Sequence, residues 1–222
     1  ATDRSGESVS NSFNITITDP GISLSVADGV GNHNFTEDAL NNSFSISNTA
    51  FNSPTGQPIS YTAILADGTA LPNWLNFSNG SFSGTPLNAD VGSLSVVVTA
   101  SDGNTLITDT FSLSTLNSND APETTSILDQ TASETVDFSF QLQESSFSDP
   151  DIGDSLSYSA SLSDGSSLPS WLSFDAGTRT FSGVPQNGDT DISIEVTATD
   201  RSGESVSNSF NITITDPGIS LS

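Results

Sequence analysis

The 222-residue sequence predicts an all-β protein built from tandem seven-strand Greek-key sandwiches. Three observations carry this. Apolar and polar residues alternate with a period of two in run after run, the mark of half-buried strands. Turn chemistry separates those runs, and no helical periodicity of useful length occurs. A long motif recurs at the spacing of a whole domain rather than of a solenoid turn.

The strands read most cleanly in the second copy. ETTSIL (123–128) comes first, then TVDFSFQLQ (135–143), SLSYSASL (155–162), WLSF (171–174), TRTFSG (178–183), ISIEVTA (192–198) and SFNITIT (209–215). DPDIGD, SDGSSLPS, FDAGT, PQNGDTD and DRSG lie between or beside them as turns. Seven short strands in about 98 residues describe an Ig-like sandwich.

Two levels of repetition set the organisation. Residues 1–25 return unchanged as residues 198–222. This fits a parent array with a 197-residue period; a deliberate overlap is the other reading, and the weaker inner repeat favours the array. In that inner repeat, ADGTALPNWLNFSNGSFSGTP (66–86) matches SDGSSLPSWLSFDAGTRTFSGVP (163–185), with Trp74 opposite Trp171. Asp102 meets Asp200 and Phe111 meets Phe210 further on. The expected domains are therefore residues 20–117 and 118–217. Residues 1–19 read as the last two strands of a preceding repeat, and 218–222 as the start of the next. With no Met anywhere, the chain reads as part of a longer protein.

Composition excludes several functions. Lys plus Arg is 3 against 27 Asp plus Glu, for a net charge of −24. Nucleic-acid binding and docking on anionic lipid both need basic side chains, so neither is expected. No Cys is present and His occurs once, which removes disulfides, thiol nucleophiles and multi-His metal sites. No apolar run approaches the length needed to insert in a membrane. His33 reads as a solvated loop residue, and Trp74 and Trp171, set among Leu75, Phe77, Leu172 and Phe174, as core. A hydrolase with paired carboxylates is disfavoured, because the acids sit in turns and linkers and imply no pocket, so the chain is read as non-enzymatic.

LPxWLxF, the FSGxP step and TAxD before the last strand together resemble the dystroglycan-type cadherin-like domain over both copies. NDAP (119–122) and SDPDIGD (148–154) resemble the calcium-binding linker and acidic loop of cadherin repeats. Identical alternating repeats without Cys look like those of large bacterial surface adhesins. The resemblance implies an extracellular, cell-surface location.

Strand direction adds a reading of its own. Successive strands of a sandwich run oppositely, so the linker shares one end with alternate loops. That end should collect Asn119, Asp120, Asp149, Asp151, Asp154, Asp175 and Asp200; the facing end of the first repeat carries Glu37, Asp38, Asp67 and Asp90. Crowded carboxylates with no thiolate and at most one imidazole suit Ca²⁺, which takes six to eight oxygens. By the cadherin resemblance, Asp120, Asp149, Asp151 and Asp200 match linker, DxD and TAxD ligands, with Asp90 and Glu37 supplied by the preceding repeat. The alternative is that these Asp residues only cap turns. The first repeat departs from the pattern: Asp149, Asp151 and Asp154 become Ser53, Thr55 and Gln57.

The expected function is a spacer, stiffened by Ca²⁺ between the two repeats, whose partners are neighbouring repeats of the same chain. A module binding cell-surface glycans or like chains is the second reading, and a subunit of an extracellular fibre the third.

Overall fold

Each alternating run puts one set of side chains inside and the other in water, and the strands follow that division. The computed structural model describes residues 4–6, 12, 23–54, 56–216 and 218. The first repeat contributes β1 (Ser25–Val26), β2 (His33–Thr36), β3 (Asn42–Ser45), β4 (Phe51–Asn52), β5 (Ser60–Leu65), β6 (Leu75–Ser78), β7 (Ser81–Gly84), β8 (Gly92–Ser101) and β9 (Leu106–Leu116). The second contributes β10 (Glu123–Thr124), β11 (Gln130–Ser133), β12 (Phe138–Gln141), β13 (Phe147–Ser148), β14 (Ser157–Leu162), β15 (Leu172–Asp175), β16 (Thr180–Gly183), β17 (Ile192–Thr199) and β18 (Ser205–Thr215). Two single 3-10 turns are the only helical elements among the described residues.

The sheets have the same order in both repeats. A four-stranded sheet runs β2-β9-β8-β5 and β11-β18-β17-β14; a three-stranded sheet runs β3-β7-β6 and β12-β16-β15; a two-stranded ladder joins β1 to β4 and β10 to β13. The first and second strands of each repeat are thus each broken in two, so nine segments make seven strands. In the second repeat β11 pairs parallel to β18, with Gln130 opposite Ile212, while β10 pairs antiparallel to β13. One chain segment therefore serves two sheets. The sequence reading of one strand over 123–128 missed this switch.

Aromatic packing is repeated almost ring for ring. Phe82 meets Phe111 edge-on at 5.5 Å in the first repeat, as Phe181 meets Phe210 at 5.5 Å in the second. Phe51 and Tyr61 lie 5.8 Å apart, as do Phe147 and Tyr158. Such pairs add about 0.5–1.5 kcal/mol each beyond the area they bury. Phe181, Ile194, Val196, Phe210 and Ile212 close the second core, drawn from both sheets.

Two sequence expectations need correction. Trp74 and Trp171 are half-buried rather than enclosed, although Trp171 does pack against the second core. Each sits in the turn before a strand, where the next residue, Leu75 or Leu172, is the one buried, and Trp171 packs edge-on against Phe138 at 6.4 Å. His33 is not a solvated loop residue. It lies on β2, stacked on Phe44 at 3.6 Å, with its Nε2 3.2 Å from the Val30 carbonyl.

The FSGxP step has a steric cause in the second repeat. A Cβ on Gly183 would lie 1.7 Å from the Trp171 carbonyl oxygen, which also accepts the Val184 N–H at 3.2 Å. Gly183→Ala should therefore destabilise this repeat by about 1–3 kcal/mol, as overpacked cores do. Chemical unfolding measures this, and a neutral substitution would contradict the packing described.

Contacts divide the chain into two compact units. One takes in 43–83, 94–113 and the segment up to His33; the other takes in 34–42, 84–93 and the chain from Ser114 onward. The expected strands in residues 1–19 lie outside the described residues, apart from 4–6 and 12, and the start of a third repeat at 218–222 does so apart from Gly218.

Candidate metal centre

Glu37, Asn88, Asp90, Asn119, Asp120, Asp149, Asp151, Asp154 and Asp200 all fall inside the second of those units. Each is aimed by a short backbone device.

Glu37 follows β2 directly. Its N–H donates to the Leu116 carbonyl at 3.1 Å, and Asp38, in the left-handed region at φ 56°, donates its own to the Pro86 carbonyl at 2.9 Å. Asn42 pins the loop from the far side, accepting the Thr36 N–H and donating to the Thr36 carbonyl. Glu37 ends 1% exposed, with Oε1 accepting the Ser118 N–H at 2.8 Å.

The linker supplies the next contacts. The Asp120 N–H donates to Asp151 Oδ2 at 3.0 Å, and the Asn119 amide donates to Asp200 Oδ2 at 2.9 Å. The DPDIGD loop is wound around its own acids: the Asp151 N–H donates to Asp149 Oδ1, and the Asp154 N–H to the Asp151 carbonyl. Gly153, at φ 87°, makes that turn possible. Asp200 closes its loop by accepting the N–H groups of Gly203 and Glu204 at 2.6 and 2.8 Å.

The result is two carboxylate triads that share one member. In Glu37–Asp120–Asp151 and in Asp149–Asp151–Asp154, one oxygen from each residue lies within 4.8 Å of the others. Two unit charges at that separation repel by on the order of 3 kcal/mol at an effective dielectric near 20. Only three buried side-chain polar atoms among the described residues lack a hydrogen-bond partner: Glu37 Oε2, Asp149 Oδ2 and Asp151 Oδ1. All three belong to these triads. Buried oxygens without partners are costly.

Other acids expected in the cluster do different work. Asp90 accepts the Leu87 N–H at 3.0 Å and fixes its own turn. That turn presents Asn88, whose amide reaches Asp120 Oδ2 at 2.8 Å. Asn88 was not singled out from sequence, since a contact across 32 residues leaves no local signal. Asp175 is exposed and caps Gly177 and Thr178. Asp67 caps Thr69 in the same way.

The electrostatics single out two of the triad acids. Burial pushes the Glu37 and Asp149 carboxyls above the usual range, and neighbouring carboxylates add to the rise. Asp200 is held below it, first by the Asn119 amide. A carboxyl raised on folding binds its proton more tightly when folded, so its contribution to stability falls as pH rises through the folded value. Asp200 acts in the opposite sense, and only below its ordinary range. The metal-free protein should therefore lose stability as pH rises out of the ordinary carboxylate range, and Glu37→Gln with Asp149→Asn should shrink that loss. An identical slope in wild type and variant would contradict the assignment.

The donor set is oxygen throughout, without imidazole or thiolate, which suits a hard cation. Five clustered carboxylates fit Ca²⁺ better than Mg²⁺, which keeps its waters and needs few protein ligands. The orphaned oxygens show that the residues present fit such an ion.

The family model described as Putative Ig domain matches residues 27–116 and 121–215. The chain belongs to this Putative Ig domain family, in two tandem copies. No curated protein matches the chain. Among solved structures, Drosophila N-cadherin EC1-4 aligns at TM-score 0.60 and 16% identity, over 85% of this chain and 48% of that one. Human mucin-like protocadherin EC1-2 aligns at TM-score 0.58 and 15% identity, over 88% of this chain and 100% of that one. An endo-fucoidan hydrolase of glycoside hydrolase family 107 shares 20% identity over 91% of this chain, at TM-score 0.37. The chain spans about a third of that hydrolase and about half of the N-cadherin chain. At such identities the cadherin likeness is one of fold, and it extends over both Putative Ig domains.

Proposed function

We propose that the chain is a stretch of non-enzymatic extracellular spacer repeats of an adhesin, stiffened where 117–122 joins the two domains by Ca²⁺ held by Glu37, Asp120, Asp149, Asp151 and Asp154. Asn119 and Asp200 brace this group and Asn88 holds Asp120. One observation carries the reading: the orphaned buried oxygens belong to the two triads and to nothing else among the described residues. Ig-like and cadherin-like domains are typically extracellular and non-enzymatic. No helix among the described residues is long and apolar enough to cross a membrane. The ion would neutralise converging carboxylates and so tie the DPDIGD loop, the linker and the loop after β2 to one point.

The first domain lacks the matching acids, carrying Ser53 and Gln57 in the corresponding loop. In an array of this pair, ion-clamped joints would alternate with joints held by other contacts. The partners this role requires are neighbouring repeats of the same chain.

Amide hydrogen exchange on the 222-residue chain tests the stiffening. Saturating Ca²⁺ should slow exchange across 117–122 by at least about tenfold, the size of a local opening made 1.4 kcal/mol harder. Equal exchange with Ca²⁺ and with chelator would overturn the proposal.

A further inference from the structure

The acids of the outer triad are not alone. Arg201 Nε lies 3.6 Å from Asp154 Oδ1, and among the described residues this is the one ion pair. The placement is selective, because the chain holds three cations, all Arg, against 27 acids. Arg201 also lines a cleft of 540 Å³ together with Asn119, Asp151, Gly153 and Asp154.

The backbone around Arg201 is held, while its side chain is loose. Asp200, next to it, is buried and accepts two N–H groups of the same loop, and Gly203 turns that loop at φ 97°. The Arg201 side chain itself is 70% exposed, against 11% for Asp154. A flexible arm on a fixed base can leave its partner without disturbing the fold. In the first repeat the corresponding loop reads Asp102-Gly103-Asn104-Thr105, with no Arg, and the facing acids are absent too. The cation occurs where the acid triad occurs.

We propose that Arg201 is a tethered cation that competes with the metal ion for the outer triad. This rests on the Ca²⁺ reading given above. In the metal-free chain the guanidinium offsets part of the charge of Asp149, Asp151 and Asp154 through Asp154. An ion entering that triad displaces it into the cleft and to solvent. Among the described residues no cation pairs with Glu37, Asp120 or Asp151 of the inner triad, so the two triads fill with different affinities, and Arg201 sets the gap. The joint then responds to a higher calcium level than its carboxylates alone would dictate.

Calorimetric titration of the 222-residue chain with Ca²⁺ tests this. Arg201→Gln should tighten the weaker binding step by about two- to five-fold, the range of an exposed ion pair. Arg179→Gln removes the same charge elsewhere, where the guanidinium lies over the Tyr158 ring, and should change that step by less. In an Asp154→Asn background the gain from Arg201→Gln should vanish. A weaker step unchanged or weakened by Arg201→Gln, or tightened equally by Arg179→Gln, would overturn the competition while leaving the metal centre intact. No heat of binding in either wild type or Arg201→Gln would remove the metal centre itself, and this proposal with it.

Discussion

Glu37→Gln should stabilise the protein in chelator and destabilise it in calcium. The carboxylate is 1% exposed, has one backbone donor on Oε1 and none on Oε2, and faces Asp120 and Asp151. Without a cation this is a buried charge among like charges. Replacing it with a neutral amide removes that repulsion and should gain about 1–3 kcal/mol, the usual cost of a buried polar group left unsatisfied. With calcium bound, the same substitution deletes a charged ligand and should lose most of the ion's contribution. A purely structural Glu would give one sign under both conditions. Denaturant unfolding in the two buffers reads the crossing directly.

The second large effect is the loss of calcium-dependent stability in Asp149→Ala with Asp151→Ala. An ion that binds only the folded state contributes about 2.7 kcal/mol at 100 times its dissociation constant. Asp151 belongs to both triads, so its loss should empty both, and Asp149 completes the outer one. These residues also accept backbone N–H groups, Asp151 from Asp120 and Asp149 from Asp151. The double variant will therefore be weaker even in chelator. The informative quantity is the increment on adding calcium, which should fall from about 2.7 kcal/mol to near zero.

Much of this was legible in the sequence because alternation reports burial directly. ISIEVTA and SFNITIT fall within β17 and β18, and their buried residues Ile194, Val196, Ala198, Phe210 and Ile212 all lie on the side the alternation marks. The broken first strand was not legible. Gln130–Ser133 buries only Ala132, so it has no alternation to read, and its partner β18 lies some 80 residues away. Thr135, at φ 60°, ends the approach to β12, which begins at Phe138 rather than at 135. The acidic end was visible as a set, because strand direction sorts loops between two ends. Its membership was not. Asp90 and Asp175 have the same residue type as Asp151, yet their nearest backbone N–H groups capture them as turn caps. Asp151 escapes this fate because its loop folds back on it and leaves Oδ1 buried without a donor. Asn88 reaches Asp120 only through the tertiary fold.

Thermal unfolding of the 222-residue chain, in calcium and in chelator, tests the central claim most directly. On the proposed reading, a cation that satisfies the orphaned oxygens of Glu37, Asp149 and Asp151 stabilises the folded state. At 100-fold excess over the dissociation constant, 2.7 kcal/mol should raise the midpoint by roughly 5–10 °C for a protein of this size. Superimposable curves in calcium and in chelator would contradict it.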